Sequence, residues 1–226
     1  MKRIIAIGDI HGYRHVLERL LDWIGPESSD IIVGLGDYID RGPDSRGVID
    51  LLIRLQQHVT LVPILGNHDE MLLNILDGDK EAFQDWLIYG GTATLASYGC
   101  ATVEEIPGEH IAFLKSCVSY YETENHFFVH ANYDEHRPLN MLDGTMLRWC
   151  SLREYLPGPH ISGKVAITGH TAQKSGEILN LGYLVCIDTY CYGGGWLTAL
   201  DVQTGHVWQV SPSGAMREGW LGEVRD

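Results

Sequence analysis

The chain has 226 residues, 45% of them apolar, which suits one or two domains with a sizeable core. Its 30 acidic against 16 basic residues leave a formal net charge of −14, which disfavours binding to nucleic acid or to an anionic membrane surface. No apolar run approaches membrane-spanning length, no charged start with a long apolar run marks a signal peptide, and the five cysteines contain no C-x-x-C pair, so a cytoplasmic protein with reduced thiols is expected.

In chain order, Lys2 to Ile7 reads as a buried strand of the parallel type. Gly8-Asp9-Ile10-His11-Gly12 follows it, and Val16, Leu17, Leu20, Leu21 and Ile24 then recur at helical spacing up to Gly25-Pro26. Ile31 to Leu35 is the second strand, ending in Gly36-Asp37-Tyr38-Ile39-Asp40-Arg41-Gly42. Val48, Leu51, Leu52 and Leu55 mark the next helix, Val59 to Leu65 a third strand, and Gly66-Asn67-His68-Asp69-Glu70 its terminal loop. Strand, loop and helix repeating in this way predict a parallel sheet with right-handed crossovers.

From Met71 to about Cys117 the sequence is mostly helical, with a break at Gly90-Gly91, and predicts a helical cap beside the ligand loops within one domain, 1–226. The second half is strand-rich: Tyr120–Thr123, His126–His130, Val165–Thr168, Tyr183–Ile187, Trp196–Val202 and His206–Val210, the last two joined as a hairpin across Gln203-Thr204-Gly205. Two packed sheets with outer helices are the expected α/β layout.

Five loops that follow apolar strands carry metal-type ligands: Asp9 with His11, Asp37, Asn67 with His68, His130, and His170. Alone, each has a bland reading as a turn carboxylate or a satisfied histidine; together they converge on one sheet edge, where open α/β sheets place ligands. Asp37 has two oxygens with which to bridge two cations, and Arg41 a planar fork suited to phosphate. An acidic chain remains compatible with a phosphate substrate, because a metal site reverses the local potential.

Gly8–Gly12, Gly36–Gly42 and Gly66–Glu70 resemble the three signature motifs of the phosphoprotein phosphatase family, within the calcineurin-like metallophosphoesterases. Val129-His130-Ala131, Thr168-Gly169-His170 and Ile187-Asp188-Thr189 extend the resemblance over almost the whole chain, and the compact size is similar to the bacterial and phage branch. The resemblance implies a fold of two mixed sheets flanked by helices (αββα) and two divalent metal ions. Asp9 and His11 would hold one ion, Asp37 both, and Asn67, His130 and His170 the other. A mixed carboxylate, amide and imidazole set suits manganese, iron or zinc better than magnesium or calcium, and the resemblance makes manganese the first choice.

By the same resemblance His68 is the general acid, Asp40 orients it, and Arg41 clamps phosphate. A second clamping arginine is expected after a tryptophan, and Leu147 to Arg153 offers Arg153, with Arg148 in reserve. The implied reaction is attack of a metal-bridging hydroxide on phosphorus in a phosphoprotein or phosphopeptide. Two positions depart from the family pattern: Asn132 stands where glycine is frequent, and Tyr190 where glycine usually follows Asp188-Thr189, with Gly193-Gly194-Gly195 as compensation.

Competing readings are a dinucleoside-polyphosphate hydrolase, a broader phosphodiesterase and a non-catalytic scaffold. The first branch typically lacks the histidine found here as His11. The second commonly ends in Gly-His-x-His, where this chain has Gly169-His170-Thr171-Ala172. Every catalytic position is filled, which weighs against the third.

Overall fold

A computed structural model describes residues 2–223. Strands β1 (Ile4–Ile7), β2 (Ile31–Gly34) and β3 (Thr60–Pro63) run parallel, linked by helices α1 (Arg14–Ile24) and α2 (Ser45–Leu55). Helix α1 buries the predicted stripe Val16, Leu17, Leu20, Leu21 and Ile24, and Gly25 closes it in the left-handed conformation. Helix α2 starts where the Asp44 carboxylate accepts the Gly47 amide at 2.8 Å.

The rest of the first sheet comes from the end of the chain. Strand β10 (Trp196–Asp201) pairs antiparallel with β1, β11 (His206–Val210) with β10, and β12 (Met216–Trp220) with β11, while short β9 (Asp188–Thr189) also joins β10. The second sheet has the order β4 (Tyr120–Glu122), β5 (His126–Val129), β6 (Val165–Thr168), β8 (Leu184–Cys186), β7 (Leu179–Asn180), with β5, β6 and β8 parallel. Both sheets are mixed, as expected.

Ala6, Val33, Leu35, Phe128, Ile167, Val185, Leu200 and Val207 interdigitate between the sheets. The four residues of β2 are all buried because both faces of its sheet are covered. The far face of the second sheet, with Phe127, Val129, Ala166 and Leu184, is covered by Tyr133, Leu139, Leu147 and Leu152 from a mainly irregular segment. The helical layer is therefore thick on one side and thin on the other.

Two expectations change. The motif Gly66–Glu70 is not a loop beyond Gly66: Asn67 begins helix α3 (Asn67–Leu76), and Gly66 is its N-cap. The stretch expected as a cap forms α3, α4 (Ala82–Trp86), α5 (Thr92–Tyr98) and α6 (Gly108–Lys115), whose Leu72, Trp86, Leu95 and Phe113 share one core with Leu17, Val48 and Leu52 of α1 and α2. It reaches the ligand loops through Trp86, Gly90 and Thr94. Gly90 lies in a one-turn π segment at φ 128°, and a Cβ there would stand 2.6 Å from the Arg41 amide nitrogen, which donates to the Gly90 carbonyl at 3.2 Å.

Candidate active site

The carboxyl ends of β1, β2 and β3 in one sheet and of β5 and β6 in the other open at the same place. Hydrogen bonds between loops lock them together. The His11 amide donates to the Asp37 carbonyl at 2.8 Å, the Gly169 amide to the His130 carbonyl at 2.8 Å, and the His170 amide to both oxygens of Asp9 at 3.1 and 3.0 Å. His130 crosses between sheets, its Nδ1 donating to the Leu35 carbonyl at 2.7 Å.

Two clusters of potential metal ligands result, each built on the buried Asp37: His11–Asp37–His68 and Asp37–His130–His170. His11 Nε2 is 3.4 Å from Asp37 Oδ2, and His130 Nε2 is 3.4 Å from Asp37 Oδ1, so the two carboxylate oxygens face different histidines. Asn67 Oδ1 joins the second cluster, 3.0 Å from both His130 Nε2 and His170 Nδ1. Asp9 is buried beside them but stands in neither cluster.

The tautomers are set from outside. His11 Nδ1 donates to the Ile39 carbonyl at 3.0 Å, and His170 Nε2 to the Trp149 carbonyl at 3.0 Å. With His130 Nδ1 spent on Leu35, the remaining nitrogens of all three rings point inward as lone pairs. Burial, above all, lowers the pKa of His11 and His130 and brings His170 down to about 4, so these rings are neutral. Three acceptors, Asn67 Oδ1, His130 Nε2 and His170 Nδ1, thus meet at hydrogen-bond distance without a proton to share, an arrangement that a cation satisfies.

The carboxylates agree with this. Burial raises Asp9 well above its ordinary value, helped by Asp188 and Asp37, and pushes Asp188 up to about 7. A dry pocket with several carboxyls and inward lone pairs fits divalent cations.

His68 differs from the other rings. Its Nδ1 donates to Asp40 Oδ2 at 2.8 Å, and its Nε2 accepts from Arg41 Nη2 at 2.9 Å, while Arg41 Nη1 donates to His11 Nε2 at 2.8 Å. Asp40 also accepts Trp86 Nε1 at 2.9 Å and the Thr94 hydroxyl at 2.7 Å, so α4 and α5 together hold the partner of His68. Sequence reasoning missed Trp86 and Thr94, because neither lies in a motif.

It also missed Asp69, whose oxygens accept the amides of Asp37 at 2.8 Å, Tyr38 at 3.1 Å and Gly66 at 3.1 Å. The signal was available: Asp69 is the third residue after an N-cap, the acidic position of a capping box.

The two arginines of the later segment part company. Arg148, held in reserve for phosphate, donates to Glu70 Oε1 from Nε at 2.9 Å and Nη2 at 2.5 Å, and its guanidinium is committed there. Glu70 also accepts Trp149 Nε1 at 2.7 Å, which fixes the carbonyl that orients His170. Arg153 is exposed and donates to the Ala172 carbonyl at 2.5 Å, beside the loop of His170. Asn132 has no positive φ; its amide binds the Tyr155 carbonyl at 2.7 Å instead.

The family model for calcineurin-like phosphoesterases matches residues 2–207. The chain belongs to that family. Calcineurin-like phosphoesterases use a dinuclear metal centre, and the two clusters on Asp37 are the groups available here for one. Among curated members, serine/threonine-protein phosphatase 1 of Salmonella typhimurium is 33% identical over 91 residues, 40% of this chain and 39% of that protein. The symmetrical bis(5'-nucleosyl)-tetraphosphatase of Nitrosomonas europaea is 48% identical over 75 residues, 32% of this chain and 27% of that protein. The matches thus span well under half of either relative. A solved structure of a provisionally assigned diadenosine tetraphosphatase shares the fold, with a TM-score of 0.69 at 24% identity, over 98% of this chain and 95% of that one. No helix among the described residues is long and apolar enough to cross a membrane.

Proposed function

We propose that the chain is a dinuclear-metal phosphomonoesterase acting on phosphoserine or phosphothreonine in proteins. The observation that carries this reading is the Asp40–His68 pair set beside Asp37, with Arg41 spanning His68 and His11. Asp9, His11 and Asp37 would hold one ion, and Asp37, Asn67, His130 and His170 the other, with manganese first among the metals that the donor set suits. When bound, the two ions supply positive charge at the phosphoryl group and an activated water.

The chain's own residues supply the rest. Arg41 presents a planar fork to the phosphate oxygens, and Arg153, exposed and bonded to the Ala172 carbonyl two residues after His170, is the second contact. Once Arg41 donates to the phosphate instead, His68 Nε2 is free to carry a proton to the leaving oxygen, and Asp40 keeps the ring oriented through Nδ1. Trp86 and Thr94 keep Asp40 in place and exclude water from it.

The 48% identity to a symmetrical tetraphosphatase favours the second reading, a dinucleoside-polyphosphate hydrolase. Turnover by the manganese-loaded protein should be compared on phosphoserine peptides, p-nitrophenyl phosphate and diadenosine tetraphosphate. The first reading expects the highest kcat/KM on peptides; cleavage of the tetraphosphate without turnover of peptides would replace it with the second.

A further inference from the structure

Among the described residues, six other than glycine have positive φ: His11, Asp37, Asp40, Arg41, His170 and Tyr190. The first five line the site. Tyr190, at φ 69°, begins a loop that no motif explains, and a bulky residue in that conformation is held only when its surroundings insist.

The loop is closed by amides of Gly193 and Gly195 donating to the Tyr190 carbonyl at 3.1 and 2.9 Å. A Cβ on Gly193 would fall 2.0 Å from the Tyr190 ring, so only glycine lets that ring fold back over the loop. Tyr190 in turn packs edge-on against Tyr192, with centroids 4.8 Å apart. The Tyr192 carbonyl accepts from the Tyr13 hydroxyl at 3.3 Å, which ties the loop to the start of α1.

The result is a ring pressed on the site. Arg41 Cζ lies over the Tyr192 face, 4.0 Å from its centroid, and the same ring meets His11 edge-on at 5.0 Å. Arg41 is exposed and long, so its guanidinium would ordinarily sample many rotamers. Here Tyr192 covers one face of the guanidinium, while Nη1 and Nη2 are aimed in plane at His11 and His68, toward the site.

We infer that Tyr192 is a positioning residue for phosphate binding: the strained Tyr190–Gly195 loop holds its ring against Arg41, and the ring fixes the guanidinium in the plane that receives the phosphoryl oxygens. The inference rests on the phosphatase reading of the site. It adds a residue that acts through Arg41 by cation–π contact, and the ring, not its hydroxyl, does the work.

The test uses the full chain loaded with manganese, and measures binding of inorganic phosphate by titration calorimetry, KM and kcat on p-nitrophenyl phosphate, and metal content. Tyr192→Leu should weaken phosphate binding about fivefold to tenfold and raise KM alongside, with metal content unchanged. Tyr192→Phe should restore affinity to within about twofold of wild type. In an Arg41→Ala background, Tyr192→Leu should add almost nothing, since its effect passes through the missing guanidinium. Equal phosphate affinity in Tyr192→Leu and wild type overturns the inference, as does an equal loss in the presence and absence of Arg41. A Tyr192→Leu protein that has lost metal in step with phosphate shows a structural role and also overturns it. A wild-type protein that binds no phosphate and hydrolyses no phosphomonoester overturns the reading of the site itself, a separate result.

Discussion

His11, Asp37, Asp40, Arg41 and His170 have φ between 47° and 72°, a region that costs an ordinary residue about 1–2 kcal/mol. Something must offset that strain, and for Asp37 it is Asp69, which accepts three buried amides around it. Asp69→Asn, with one acceptor oxygen in place of two, should destabilise the fold by roughly 2–4 kcal/mol and lower activity although no proposed ligand is lost. Urea unfolding and metal content together check this. The role of His68 is open to a sharper test. A serine alkoxide needs a proton as it leaves, whereas p-nitrophenolate does not, so His68→Asn should keep metal and lose about 10²–10⁴ in rate on phosphoserine peptides but far less on p-nitrophenyl phosphate. His130→Asn should lose metal and lose rate on both alike. Equal losses for His68→Asn, with metal gone, would make His68 a ligand. The residues proposed as ligands were legible as candidates because each follows an apolar run at a strand end. The pairing of Arg148 with Glu70 was not, because nothing local links positions 78 apart.

At the scale of elements, the sequence predicted β1, α1, β2, α2 and β3 with nearly correct limits, because buried parallel strands and amphipathic helices have the strongest periodic signals. It did not predict β12, whose Met216-Arg217-Glu218-Gly219-Trp220 has no apolar face and owes its place to pairing with β11. Nor does periodicity reveal how β1, α1 and β2 are joined at their ends. Arg3 donates to the Ile24 and Gly25 carbonyls at 3.3 and 3.1 Å, closing α1, and to the buried Asp30 ahead of β2 at 2.5 Å. Burial alone would raise Asp30, but Arg3 and the Glu27 amide hold its carboxyl below the usual range. Its folded pKa is thus the lower one, so its stabilisation is complete above about pH 4 and is lost as pH falls through that lowered value. Asp30→Asn should therefore be less stable than wild type at pH 7, by roughly 1–3 kcal/mol, and the gap should narrow below about pH 4. Chemical denaturation across pH measures it; a gap independent of pH would mean the carboxylate charge is irrelevant.

For the whole molecule, the proposed ligands come from both sheets, so cation binding ties the two together. Ions that bind only the folded chain stabilise it by mass action, about 2.7 kcal/mol at a hundredfold excess over Kd for one site. Chelation should lower the Tm, manganese should restore it, and Asp37→Asn, which breaks both proposed sites at once, should abolish the response. A wild-type Tm indifferent to chelator and manganese would sink the dinuclear assignment. The first sheet has a further property. Strand β10 pairs Ile5 with Asp201 and Ile7 with Ala199, so β1 is completed by a strand made much later than itself. A chain still on the ribosome at Gly195 already contains Asp9, Asp37, His130 and His170, yet without β10 to β12 its first sheet stops at β1 with that edge unpaired. Synthesis therefore passes through an interval, between His170 and Trp196, with the ligands made and the scaffold open. Stalled chains ending before Trp196 should be cut readily by protease where released ones resist, and during that interval the bare flank of β1 is the natural claim of a chaperone.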